Sequence, residues 1–309
     1  MFYSGLAAYR LGSSKMLWSR PGDSSSGKQR HVQGEPQGSL IISVIKITAS
    51  RFPVYIHFCK AVSLKSNQEW KQWGKEDPLY GVASWAGKEK TGSSPWTDEE
   101  FYALGASDWR DFREHWTQYG VCQGTCVEIG CGAGRMTRML SGFFDHVAAV
   151  DVSAEMIARA RKTACSNVEF FLVEDNHIPA ESGSAAAVFS THVLQHLDSV
   201  EIGYGYFREM HRVLRPGGTL MIHIPLYQFP NENGPWGPLW RRTHSFVRAV
   251  SNVKAGMGRR RGSKIMRGTP YSLEGLRKFL VDLGLKRVEY RIFPTVSNAK
   301  LHSFVFGTK

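Results

Sequence analysis

Short apolar runs punctuated by turn residues recur along this chain at 126–129, 147–152, 168–173, 185–190 and 219–225. The stretches between them suit helices, and that alternation predicts a parallel sheet with helices on both faces. The clearest helix follows Asp198. There Asp198 and Glu201 make a capping-box pattern, Ile202, Tyr206, Met210, Val213 and Leu214 share one face, and Pro216-Gly217 supplies the stop. Thr97 with Glu100 makes a similar start, and Trp109, Phe112 and Trp116 keep the spacing of a core-facing stripe. Ser272 to Gly284 reads as another helix, and Lys286 to Phe293 and Leu301 to Phe306 follow as further strand-like runs.

One of these strands leads into chemistry. Cys126-Val127-Glu128-Ile129-Gly130-Cys131-Gly132-Ala133-Gly134-Arg135 breaks from an apolar run into glycines and then into a helical pattern, and Ala148-Ala149-Val150-Asp151-Val152-Ser153 ends the next strand in an acid. Glycines give a turn positive φ angles and let backbone approach a ligand, while a carboxylate roughly 20 residues further on can accept hydrogen bonds from ribose hydroxyls. A nucleoside ligand is the first hypothesis. A dinucleotide fingerprint wants a third glycine or alanine where this chain has Thr137, and an acid, Glu128, precedes the glycines, so NAD fits poorly. The pattern E-x-G-x-G-x-G instead resembles motif I of class I S-adenosylmethionine-dependent methyltransferases, whose cationic sulfonium makes a nearby acid electrostatically sensible.

The resemblance runs on through Val168 to Pro179, Ala185 to Leu197 and Arg212 to Gly218, with Trp70 to Gly81 and Pro95 to Trp109 upstream. Over residues 67 to 309 the chain is similar to a bacterial group of methyltransferases filed with type 11. The resemblance implies an α/β, Rossmann-like seven-stranded, mostly parallel sheet with helices on both faces and an antiparallel last strand, which Lys286–Phe293 and Leu301–Phe306 would close. It implies S-adenosyl-L-methionine as cofactor, held by Glu128, Gly130, Cys131, Gly132, Gly134, Asp151, Val152, Thr191 and His192. Glu174 is expected to meet the adenine amino group through its side chain and Asp175 through its backbone, with a slip of one residue left open. Arg135 is expected to point away as a helix-surface charge.

Composition changes the picture in two places. The net charge of +12 divides unevenly: residues 1–66 hold nine Lys or Arg against Asp23 and Glu35, residues 241–267 hold nine and no acid, and the remainder is mildly acidic. Together with the resemblance, this implies a basic N-terminal segment (1–66), a helical cap (67–120) and a methyltransferase domain (121–309) with a basic acceptor-site insertion at 227–269. The first segment reads as a disordered arm, residues upstream of a natural start or a targeting segment, with the first two preferred because Leu40–Ile47 is odd for a transit peptide. In the insertion, Trp236 and Trp240 interleave with basic residues including Arg259, Arg260 and Arg261, which suits either a docking patch for an anionic acceptor, lipid surface or nucleic acid, or a solvated loop. The five cysteines, Cys59, Cys122, Cys126, Cys131 and Cys165, include no C-x-x-C pair, so no metal site is expected and free thiols in a reducing cytoplasm fit best. No apolar run approaches a membrane span.

In-line displacement at a sulfonium methyl asks the protein for alignment, exclusion of water and, for a hydroxyl or protonated nitrogen, a base. His192 and His196 lie just beyond the fourth strand, where open α/β sheets bind ligands, and are the candidate bases; packing against the cofactor is their alternative role. The expected activity is methyl transfer to O or N of a small molecule, with anionic and lipid-linked acceptors in range and no obligate protein partner. A nucleic-acid methyltransferase using 241–267 ranks second, because Ser190-Thr191-His192-Val193 lacks the Asn-Pro-Pro-Tyr type motif. A non-catalytic adenosyl-binding module or a nucleotide-dependent oxidoreductase ranks third.

Overall fold

The computed structural model describes residues 64–226 and 268–309 with their side chains, and 44–47, 54–57 and 227 as backbone. The expected patch residues Trp236, Trp240 and Arg259 to Arg261, and most of the basic N-terminal segment, lie outside the described residues. The chain divides into two compact units, 1–61 and 62–309. In the first, β1 (Val44–Ile47) pairs antiparallel with β2 (Val54–His57).

The second unit opens with α1 (Lys65–Glu76), α2 (Pro78–Val82) and α3 (Asp98–Tyr119), then alternates β3 (Thr125–Ile129), α4 (Thr137–Ser141), β4 (His146–Asp151), α5 (Ala154–Ala160), β5 (Val168–Leu172), β6 (Ala185–Ser190), α6 (Val200–Val213) and β7 (Leu214–His223). It continues with β8 (Leu226–Tyr227), β9 (Tyr271–Ser272), α7 (Leu273–Asp282), β10 (Lys286–Pro294) and β11 (Leu301–Thr308). The seven-stranded sheet runs β10-β11-β7-β6-β3-β4-β5, parallel from β7 to β5, with β11 antiparallel to both its neighbours. This is the Rossmann-like order expected from the motifs.

Strand alternation explains why both faces are dry. Val127, Val150, Val188, Leu220, Ile222 and Val305 face one core with α6 and α7, while Cys126, Ala149, Phe189, Met221, Phe304 and Phe306 face a second with α3. Trp109, Phe112 and Trp116 belong to that second core, as their spacing predicts, and Trp116 Nε1 donates to Thr219 Oγ1 of β7 at 3.1 Å. The capping box at Thr97 and Glu100 is present in both directions, and Gly120 ends α3 at φ +102°.

Two boundaries differ from the sequence reading. The cap of α6 is Ser199, whose hydroxyl accepts from Ile202 N, because the Asp198 carboxylate instead accepts from Ser66 N and Oγ at the start of α1. Pro216-Gly217 does not end that helix. It lies within β7, where the pairing with β6 shifts register between residues 185 and 187. Beyond β7, β8 pairs in parallel with β9, Thr269 donates to Gln195 O and Leu197 O, and Tyr271 OH donates to Leu194 O, so both ends of the intervening stretch are tied beside the loop after β6.

Candidate active site

Chain order turns back on itself between β3 and β6: β4 and β5 extend one way, β6 and β7 the other. In an open α/β sheet the crevice outside the carboxyl ends at such a reversal is where ligands bind. A cavity of about 470 Å³ opens there, a size ordinary for a small-ligand site. Its floor is the glycine turn after β3. Gly130, Gly132 and Gly134 all take positive φ, and a Cβ on Gly130 would stand 2.2 Å from Val193 Cγ2.

Asp151, at the end of β4, is buried and fixes that turn: Oδ2 accepts from Gly132 N at 2.8 Å and Oδ1 from Ser153 N at 2.9 Å. Burial raises its pKa, and the hydrogen bonds from the backbone of Ser153, Gly132 and Val152 oppose the rise. Glu128 also borders the cavity, accepting from Thr137 Oγ1 at 2.6 Å; burial, reinforced by Asp151, pushes its pKa to about 7 despite the Thr137 hydrogen bond and Arg135. Cys131, Val152, Thr191, His192 and His196 border the same space. Burial lifts the Cys126 and Cys131 thiols well above the usual range, which keeps them inert.

Three expected positions fall elsewhere. Glu174 does not enter the cavity: its side chain is 71% exposed and paired with Lys71 of α1, while its carbonyl accepts from Asn67 Nδ2 at 2.8 Å. Asp175 is exposed as well, caps His177 N at 3.0 Å and accepts from Tyr206 OH through its carbonyl. With β5 ending at Leu172, it is Val173 that faces the cavity, and the two acids follow on the outside. Arg135 is not a surface charge. It is 4% exposed and ion-paired with Asp108 of α3, because α4 begins only at Thr137 and Arg135 still belongs to the turn, which lies against Gly105 of α3.

Sequence reasoning missed several groups at the same edge. Asn67 and Trp70 of α1 line the cavity, with Trp70 edge-on to His196 at 5.2 Å between ring centres. His223 and His302 come from β7 and β11 to meet His192, whose backbone stands at φ +57°. No metal is expected from the cysteines, yet these three imidazoles converge. The signal was a histidine at the carboxyl end of the fifth parallel strand, a position that faces ligand in this topology.

Residues 127–222 match the family described as "Methyltransferase domain". Residues 127–222 thus carry a methyltransferase domain. Among curated methyltransferases it is 34% identical over 110 residues to malonyl-[acyl-carrier protein] O-methyltransferase of Hahella chejuensis, covering 35% of this chain and 38% of that protein. It is 30% identical over 98 residues to probable tRNA methyltransferase 9B of Mus musculus, covering 32% and 21%. The chain thus spans well under half the length of either relative. The solved magnesium protoporphyrin IX methyltransferase from Synechocystis with bound SAM shares the fold at a TM-score of 0.50 and 13% identity, over 81% of this chain and all of that one. Among the described residues, no helix is long and apolar enough to cross a membrane.

Proposed function

We propose that this chain binds S-adenosylmethionine in the cavity and transfers its methyl group to O or N of a small, anionic acceptor. The observation that carries the reading is Asp151: a buried carboxylate at the end of the second parallel strand, already locked to the glycine turn and bordering the cavity. Such a group without a cationic partner is costly to bury. Two ribose hydroxyls would satisfy it. The glycine turn lets the main chain lie against the adenosyl group, and Glu128 would face the cationic end. When bound, the cofactor supplies an electrophilic methyl carbon; the chain's own residues align it, exclude water and accept a proton, for which His192 and His196 border the space.

On the acceptor side Lys300 borders the cavity as an exposed cation that an anionic acceptor would meet, Arg135 being already paired with Asp108. The match to malonyl-[acyl-carrier protein] O-methyltransferase agrees with a carboxylate-bearing acceptor. The match to probable tRNA methyltransferase 9B supports the second reading, nucleic acid engaged through 241–267. A panel of carboxylic acids, phosphorylated and lipid-linked amines, and tRNA, read by release of S-adenosylhomocysteine, separates them. Turnover with an acid or amine is expected. Turnover with tRNA alone would move the second reading ahead, and cofactor binding without any turnover would leave an adenosyl-binding module.

Glu128 gives the cofactor reading a pH signature. Its folded pKa of about 7 lies above the ordinary 4.5, so the folded state holds a proton that the unfolded state has lost; its contribution to stability falls as pH rises from about 4.5 to about 7. A sulfonium beside it favours the ionised form, and binding below pH 7 must first expel that proton. Affinity for S-adenosylmethionine is expected to rise about tenfold from pH 6 to pH 8, the factor by which the ionised fraction of a group titrating at about 7 grows over that span. Calorimetry on Glu128→Gln should show the Glu128 part of the slope gone. An identical slope in the variant would remove Glu128 from the site.

A further inference from the structure

Three histidines converge at the cavity edge from separate parts of the sheet: His192 after β6, His223 at the end of β7 and His302 near the start of β11. One ring nitrogen from each lies within 4.8 Å of the other two. We infer that His192, His223 and His302 form a zinc site whose fourth coordination position opens into the cavity.

As a hydrogen-bonded core cluster the arrangement is poor. His223 Nε2 and His302 Nδ1 meet at 3.4 Å, long for an N–H···N bond, and His223 Nδ1 and His302 Nε2 have no partner among the described residues. The 3.4 Å Nε2–Nδ1 pair, which shares no good hydrogen bond, is the one an ion would bridge, and the unpartnered nitrogens lie on the far side of each ring. As a ligand set the same numbers fit. Zinc–nitrogen bonds of about 2.05 Å at tetrahedral angles set neighbouring donor nitrogens about 3.4 Å apart and ring centres about 5 Å apart. The His192–His302 and His223–His302 ring centres are both 5.4 Å apart; the third pair, at 4.1 Å, needs His192 to swing outward.

Three imidazoles and no carboxylate disfavour the oxygen-seeking calcium and magnesium and suit zinc, copper, iron or nickel; the near-tetrahedral spacing of two of the ring pairs favours zinc among them. Of the fixed charges acting on His302, Arg135 is neutralised by Asp108 and Lys300 is exposed, so a dication meets little uncompensated repulsion. His192 holds a left-handed backbone, φ +57°, uncommon outside glycine, which is the kind of strain that ligand-clamping positions retain. His192 and His302 border the cavity, so the open position faces it. With His192 committed as a ligand, His196 is left as the proton acceptor, and an acceptor oxygen taking the open position would lose its proton more readily. That last step rests on the methyltransferase reading; the zinc site does not.

The test uses the full, untagged chain stripped with a chelator and titrated with zinc chloride by calorimetry. A single ion per chain is expected, and His223→Ala and His302→Ala should each weaken binding by ~100-fold or more, beyond the loss seen for outer partners of a metal site. Because removing a buried histidine can unfold the chain, cobalt(II) substitution in the unmutated chain gives a second readout, the intense visible absorption of a tetrahedral site. Zinc affinity unchanged in both variants, absence of stoichiometric binding, or a pale octahedral cobalt spectrum would overturn the site. Binding of S-adenosylhomocysteine to the stripped chain is measured alongside; its loss counts against the cofactor pocket and leaves the zinc result to stand by itself.

Discussion

Asp151→Ala is expected to lower affinity for S-adenosylhomocysteine by two to four orders of magnitude while the fold persists. Hydrogen bonds to a charged acceptor contribute about 1.5–3 kcal/mol each, and two ribose hydroxyls would be lost together. The change also frees Gly132 N, so the turn loses the strap that joins it to β4. Gly132→Arg should have a comparable effect by a different route. Residue 132 stands at φ +51° with a Cβ position 2.7 Å from Val82 Cγ2, so a long side chain is both strained and forced into the cavity. Calorimetry reads the affinity and far-ultraviolet circular dichroism the fold. Normal affinity in both variants would place the adenosyl group elsewhere.

The second large effect is on stability. Asp108→Ala leaves the Arg135 guanidinium buried without its counter-charge, which should cost about 3–5 kcal/mol in urea denaturation. The paired change Asp108→Leu with Arg135→Met should recover most of that loss, since a buried ion pair replaced by apolar side chains of similar volume is often neutral. A loss under about 1 kcal/mol for Asp108→Ala would mean that water reaches the guanidinium. Ser297 Oγ also donates to Asp108, so the loop between β10 and β11 should loosen with it.

Local patterns were legible wherever one residue's neighbours in sequence are its neighbours in space. The Thr97–Glu100 cap, the glycine turn and the five parallel strands follow from spacing alone, and the structure has them within a residue or two, β7 apart. Misplacements come where a distant element competes. Asp198 looks like a cap until α1 claims its carboxylate, Arg135 looks like a surface charge until α3 presents Asp108, and Glu174 looks inward until Lys71 draws it out. His223 and His302 are 79 positions apart and meet because β11 inserts between β7 and β10, a strand order that no local period encodes.

The parallel pairing of β8 with β9 carries its own consequence for divergence of this chain. Leu226 and Tyr271 sit side by side, and Thr269 and Tyr271 are pinned to the loop after β6. Whatever runs between these two posts can be lengthened, shortened or exchanged at a closure penalty that grows only logarithmically, about 0.6 kcal/mol per doubling. Such anchoring beside the loop after β6 lets the segment between the posts diverge while the glycine turn after β3 keeps its geometry.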